Sequence, residues 1–300
     1  MKEILVIGSV ALDTIESPAG YFEEVLGGSA VYFSISAGFF APVNLVATVG
    51  MDFPEEHKET LRSFGVGLEG LEVKEGRTFR WKGSYVKDMN SAETIDTQLN
   101  VFADFKPSLP EKYEKSKYIF LANIDPDLQI FILKKLSGKR FIGCDSMNHW
   151  IRSKSSSLKD TIKNASIIFL NDMEAKMLSG ESNIMKAGKY LLSLGPRFAV
   201  IKRGEYGSAL FSKDFTFMAP AYLLEEIKDP TGAGDTFAGG FMGYLAKTDK
   251  INEKNMKNAL LWGSIMASFT VQDFSINRFL GLKKKDVEER YRSFNKLITV

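Results

Sequence analysis

Ile4-Leu5-Val6-Ile7-Gly8-Ser9 puts four consecutive aliphatic residues in front of a glycine. An unbroken apolar run this short, ended by glycine, reads as a strand buried on both faces, the situation of a parallel sheet covered by helices. Runs of the same kind recur at residues 44–49, 118–122, 141–144, 166–170 and 198–201. Stretches with helical spacing lie between most of them, at 127–136, 174–178 and 184–194. Strands alternating with helices predict right-handed βαβ units around a mostly parallel central sheet, an α/β fold of three α/β/α layers spanning 1–300 as one domain.

Two stretches leave this rhythm and return to it. Residues 12–26 are polar and turn-rich, with Pro18 and Gly20. Residues 68–101 alternate large apolar and polar side chains, as in Thr78-Phe79-Arg80-Trp81-Lys82-Gly83-Ser84-Tyr85-Val86. That is the period of an antiparallel ribbon with one wet face. The two are read as a small inserted β lid, with segments at about 13–26 and 68–103. Beyond Lys202, residues 208–211 and 215–218 read as a hairpin, and the chain after Asp235 is mainly helical.

Composition narrows the function classes. Lys plus Arg number 39 against 37 Asp plus Glu, a net charge of +2, which gives no argument for a nucleic-acid partner. Cys144 is the only cysteine, so neither an intramolecular disulfide nor a cysteine-built zinc site can form, and a small apolar core residue is the expected role. His57 and His149 have no ligand spacing around them. The N-terminal apolar run is too short for a signal peptide, and the apolar stretch 31–49 is broken by Ser34, Ser36, Pro42 and Asn44, so no membrane partner and a cytoplasmic location are expected.

The most informative segment is Asp229-Pro230-Thr231-Gly232-Ala233-Gly234-Asp235-Thr236. Its small residues let backbone N–H groups converge, and the apolar helix that follows, to about Ala246, adds its N-terminal dipole; together these form an anion site. Asp235 reads as a helix cap or as a general base; an acid beside an anion turn repels the anion unless it has a task such as accepting a proton. No G-x-x-x-x-G-K-[ST] occurs, and Gly8-Ser9-Val10-Ala11 is not a dinucleotide fingerprint, which disfavours a dinucleotide-dependent oxidoreductase.

This string resembles the second signature of the ribokinase-like, or PfkB, carbohydrate kinases, D-[TP]-T-G-A-G-D. Further matches follow in the family's order along nearly the whole chain. Gly27-Gly28-Ser29-Ala30 is similar to G-G-x-A, Val49-Gly50-Met51-Asp52 to V-G-x-D, Asn171-Asp172-Met173-Glu174 to N-x-x-E, and Lys202-Arg203-Gly204-Glu205-Tyr206-Gly207 to K-x-G-x-x-G. The resemblance implies an ATP- and Mg²⁺-dependent transfer of the γ-phosphoryl group to a hydroxyl of a sugar, sugar derivative or nucleoside. It implies Asp235 as base and Gly232, Ala233 and Gly234 as the anion hole. Lys202, Gly204, Gly207, Thr231, Gly232 and Gly234 fall on the nucleotide side. Asp13, Gly27, Gly28, Ser29, Arg80 and Asp235 fall on the acceptor side. Asn171 and Glu174 are expected to organise the water shell of Mg²⁺, and Asp229, with Thr231, to lie at a monovalent-cation (K⁺) site.

Several positions keep a second reading. Asn171 and Glu174 also form the pattern of a capping box. Ser29 stands where sugar kinases commonly carry Asn, which leaves the acceptor open. Strand alternation turns Arg80 and Trp81 to opposite faces of the lid, so only one of them can point into the site. The other lid face offers a dimer contact. Asn123, Asp125 and Asp145 follow strand ends, where cleft-lining and capping fit equally. A non-catalytic sugar or nucleotide sensor would use the same cleft, but the presence of Asp235 argues for catalysis.

Overall fold

A computed structural model describes residues 2–86 and 89–298; Lys87 and Asp88, inside the expected lid segment 68–103, lie outside the described residues. The strands are β1 (Ile4–Ile7), β2 (Ala11–Ser17), β3 (Gly20–Gly27), β4 (Val43–Gly50), β5 (Val66–Lys74), β6 (Phe79–Ser84), β7 (Glu93–Gln98), β8 (Tyr118–Leu121), β9 (Phe141–Asp145), β10 (Ile167–Asn171), β11 (Phe198–Lys202), β12 (Ser208–Ser212) and β13 (Thr216–Ala219). The helices are α1 (Ser29–Gly38), α2 (Glu55–Ser63), α3 (Pro126–Lys135), α4 (Asn148–Ser153), α5 (Ser155–Asn164), α6 (Asp172–Ser179), α7 (Ile184–Ser193), α8 (Ala233–Thr248), α9 (Glu253–Thr270) and α10 (Lys284–Ile298).

The large sheet has the order β13-β12-β11-β10-β9-β8-β1-β4-β5. From β11 to β5 all neighbours are parallel, and β12 and β13 add an antiparallel hairpin at one edge. Pleating divides each buried strand between two cores. On β1, Ile4 and Val6 join Phe33 of α1, Phe241 of α8 and Met266 of α9, whereas Leu5 and Ile7 join Ile132 of α3, Ile162 of α5 and Leu191 of α7. These are the three layers expected from the alternating pattern. The stretch 31–49 resolves into α1 and β4, and no helix among the described residues is long and apolar enough to cross a membrane.

A second sheet, β3-β2-β6-β7, covers one end. It takes in less of the chain than the expected 68–103. Residues 66–74 form β5, which pairs in parallel with β4 as the edge of the large sheet. One side of that edge strand is wet, so its sequence alternates as a ribbon's does. The small sheet resumes at Phe79, and β6 pairs in parallel with β2, which aligns Leu12 with Arg80 and Asp13 with Trp81. Asp52 fixes the entry to β6: its Oδ1 accepts from the Thr78 N–H and Oγ1, both at 2.7 Å, and its Oδ2 lies 2.8 Å from Arg80 Nη1.

Candidate active site

The carboxyl end of β1 leads through Gly8 and Ser9 into the lid, and the chain returns at Gly27 and Gly28 to start α1. Gly28 has φ of +98°, and a β-carbon there would lie 2.6 Å from the Ser9 carbonyl oxygen, so a side chain is excluded on two counts. The Asp13 carboxylate on β2 lies against Gly27 and accepts from the Gly28 N–H. Burial, reinforced by the charges of Asp229 and Asp235, lifts Asp13 to about 8 despite that hydrogen bond. Ser29 is taken up locally: its N–H donates to Ser9 Oγ at 3.1 Å, and the two hydroxyls are 3.0 Å apart.

Across the cleft, the turn before α8 is held from behind. Asp229 is fully buried, and its Oδ1 accepts from the Thr231 N–H (2.8 Å) while Oδ2 accepts from the Ser275 N–H (3.0 Å). Gly232 then takes φ of +71°, with the Tyr32 ring where a side chain would project. α8 has no side-chain cap. The Ala233 N–H donates to the Pro230 carbonyl, and among the described residues the N–H groups of Gly232 and Gly234 have no acceptor. Free donors at the start of a 16-residue helix make an anion cradle.

Asp235 stands in the first turn of α8, facing Asp145 from the end of β9, Glu174 from α6 and Lys202 from the end of β11. Lys202 Nζ lies 2.7 Å from where a β-carbon of Gly234 would sit, above the cradle. Burial raises Asp235 to about 6, held from rising further by the Lys202 charge and a hydrogen bond from Asp145. Asp145 is raised well above the carboxylate range, first by burial and then by the Asp235 charge. Burial thus raises both carboxyl groups of the pair, against the pull of the Lys202 charge. Asp145 Oδ1 is buried without a hydrogen-bond partner.

Asn171 and Glu174 do form the capping box of α6: Asn171 Oδ1 accepts from the Glu174 N–H and Glu174 Oε2 from the Asn171 N–H, each at 2.8 Å. Glu174 is buried, and burial raises its carboxyl group. Among the described residues no three His, Cys, Asp or Glu side chains converge as a ready-made metal cage. The donors here are oxygens only and Asp145 Oδ1 is unpartnered, a set that suits Mg²⁺, which needs one or two carboxylates and takes the rest of its shell from water and phosphate.

Gly204 and Gly207 bound the short turn after β11, where the Arg203 N–H donates to the Gly207 carbonyl. The lid reaches this turn, since Asn90 Oδ1 lies 2.6 Å from the β-carbon position of Gly204. The lid also touches the turn before α8: Thr231 Oγ1 donates to the Tyr85 hydroxyl at 3.2 Å. Asp13, Gly27, Gly28, Thr231, Gly232, Ala233, Gly234, Asp235, Asn171, Glu174, Lys202, Gly204, Gly207 and Asp229 thus gather where the lid meets the carboxyl ends of the strands and the start of α8, with Asp229 buried behind the turn. Arg80 does not join them. Its alignment with Leu12 turns it to the other lid face, where Glu24 (2.5 Å) and Asp52 hold it, and Trp81 shares the face of Asp13. Asp125 proves to be the cap of α3, accepting from the Asp127 N–H. Two groups in the site gave little signal in the sequence: Asp145, legible only as a residue at a strand end, and Tyr32, hidden in the apolar run of α1.

The chain resembles known proteins over most of its length. The pfkB family carbohydrate kinase profile matches residues 1–280. A cytidine kinase of Thermococcus kodakarensis is 32% identical over 258 residues, covering 84% of this chain and 92% of that protein. The crystal structure of Methanocaldococcus jannaschii nucleoside kinase, an archaeal member of the ribokinase family, superposes with a TM-score of 0.78 at 20% identity, covering 98% of this chain and 99% of that one. A ribokinase from Cryptococcus neoformans var. grubii, solved with ADP, superposes with a TM-score of 0.77 at 20% identity, covering 97% and 100%. The sequence signatures, the three-layer fold with its second small sheet and these matches agree: the chain belongs to the pfkB family of carbohydrate kinases, phosphotransferases whose acceptor is a hydroxyl group.

Proposed function

We propose that this chain transfers the γ-phosphoryl group of ATP to a hydroxyl of a nucleoside, with Asp235 as the general base. The observation that carries this is the turn at Gly232, Ala233 and Gly234, with free N–H donors beside a carboxylate whose proton affinity is raised to about 6. The acceptor oxygen attacks the γ-phosphorus in line, its proton passes to Asp235, and the bond to the β–γ bridging oxygen breaks to leave ADP. The backbone cradle and the Lys202 ammonium stabilise the charge that spreads over the transferring oxygens.

The other roles follow from position. Lys202, Gly204, Gly207 and Thr231 hold the nucleotide, in keeping with ADP in the Cryptococcus ribokinase. Asp13, with Gly27 and Gly28, takes acceptor hydroxyls, while Ser29 shapes the turn. Asn171, Glu174 and Asp145 would hold Mg²⁺ through its waters; when bound, the ion supplies neutralisation of the phosphate charge. K⁺ would sit beside Asp229 and Thr231, next to the Ser275 backbone that Asp229 holds. The lid excludes water. Its edge strands expose Tyr21 and Ile95, which supports a homodimer joined through the lid. An ATP-dependent reaction and a lone buried cysteine fit a cytoplasmic setting.

Two observations favour a nucleoside over a free sugar. The relative that is 32% identical over most of the chain is a cytidine kinase. On the lid face that carries Asp13 stand Phe79 and Trp81, and Phe79 stacks on Phe102 at 5.4 Å and 17°, an aromatic surface suited to a planar base. The test is ADP release from ATP and Mg²⁺, with and without K⁺, over cytidine, uridine, adenosine, inosine, ribose, fructose and inositol. Turnover of a nucleoside ahead of every free sugar is expected. Preference for a free sugar overturns the nucleoside assignment, and release with no acceptor overturns the kinase mechanism.

A further inference from the structure

Ser275 is buried to 2% exposure, and its backbone takes φ of +53°, a left-handed conformation that glycine adopts freely and serine does not. Its N–H donates to Asp229 Oδ2 at 3.0 Å, and its hydroxyl donates to the Leu26 carbonyl at 2.5 Å. A strained backbone persists only where its surroundings over-determine it, and such residues gather at sites of function.

The two partners of Ser275 belong to opposite halves of the reaction. Leu26 leads into Gly27 and Gly28, the turn against which the Asp13 carboxylate lies. Asp229 uses its other oxygen to accept from the Thr231 N–H, at the start of the anion turn. Three hydrogen bonds therefore run in series from the acceptor turn, through Ser275 and Asp229, to the anion turn. Neighbouring contacts hold the same segments together. Ser17 Oγ on β2 donates to the Lys228 carbonyl at 2.6 Å, and the Lys228 N–H donates to the Val271 carbonyl at 2.8 Å. Phe274 stacks on Phe22 of β3 at 4.1 Å and 27°.

We propose that Ser275 is a positioning residue for phosphoryl transfer, which holds the acceptor turn at Gly27 and Gly28 in line with the anion turn at Gly232–Gly234. In-line attack needs the acceptor oxygen about 3–3.5 Å from phosphorus, and a displacement of about 1 Å lowers the rate on the order of 10²-fold. The left-handed backbone lets one residue aim its N–H at Asp229 and its hydroxyl at Leu26. The inference rests on the kinase reading above and is independent of whether the acceptor is a nucleoside or a sugar.

Ser275→Ala and Ser275→Gly both remove the hydroxyl and keep the N–H to Asp229, and glycine also releases the backbone strain. Turnover is measured with ATP, Mg²⁺ and KCl, using whichever of cytidine, adenosine and ribose the unaltered chain phosphorylates fastest; ADP binding is followed by calorimetric titration. In both variants kcat should fall by about 10–10², with the KM for ATP and the Kd for ADP within about two-fold of the parent's. The melting temperature should fall for Ser275→Ala, which leaves the Leu26 carbonyl unpaired, and recover in part for Ser275→Gly, so that stability and turnover part company. Turnover that recovers in Ser275→Gly along with the melting temperature overturns the proposal and makes Ser275 a structural residue only. A loss confined to the KM for ATP, or one that excess KCl restores, also overturns it, because the effect would then lie in nucleotide or cation binding. An active parent whose variants are unaffected overturns this proposal alone. A parent that phosphorylates none of the three acceptors overturns the kinase reading and this proposal with it.

Discussion

The ammonium of Lys202 sits directly over Gly234, at the mouth of the anion cradle, while its charge holds down the carboxyl groups of Asp235, Asp145 and Glu174. One cation from the end of β11 thus stands beside both the anion turn and the carboxyl group proposed as base, whose proton affinity it lowers. In Lys202→Met the acid limb of the kcat/KM profile should move to higher pH, the KM for ATP should rise, and turnover near neutrality should fall by about 10². A profile that keeps its limb in place would separate Lys202 from the base.

Asp235→Asn removes the proton acceptor but keeps the shape of the first turn of α8. kcat should fall by about 10²–10⁴ while ADP binding, followed by titration, holds or tightens, because a negative charge has left the anion site. In the unaltered chain Asp235 is ionised above about 6, so kcat/KM should decline as pH drops through that value. Normal turnover by the variant would exclude Asp235 as the base.

Gly232→Ala places a β-carbon in the Tyr32 ring at a left-handed backbone position. Strain and overpacking together should cost about 2–4 kcal/mol, read from the urea midpoint at constant slope. A variant as stable as the parent would show that the turn is not clamped against α1.

Asp13 gives a stability signature of definite sign. Its folded value of about 8 lies above the unfolded value near 4, so the folded chain binds a proton that the unfolded chain has released. Its contribution is complete below about 4 and is lost as pH rises through about 8. The melting temperature of Asp13→Asn, relative to the parent, should therefore climb between pH of about 5 and about 9. A constant difference across that range would mean that Asp13 is not buried as described.

The large sheet was legible because strands covered on both faces must be apolar throughout, as β1, β8 and β10 are. β5 misled for the complementary reason: a parallel strand at an edge has one wet side and shows the alternation of a ribbon. Alternation separated Arg80 from Trp81 but could not say which faced the cleft. That depended on the alignment of β6 with β2, a pairing between segments far apart in the chain. The anion turn was legible because its glycines and acid are contiguous. The facing of Asp145 and Asp235 was not, since it joins a strand end to a helix start.

The lid is built from two excursions of the chain whose strands pair where β2 lies alongside β6, and α1, β4, α2 and β5 come between them in sequence. Closing so long a loop is costly before the intervening elements have settled into the main sheet. The register of the lid is accordingly fixed through elements of the main sheet, so a substitution that loosens α1 or β4 should be felt in the pairing of β2 with β6.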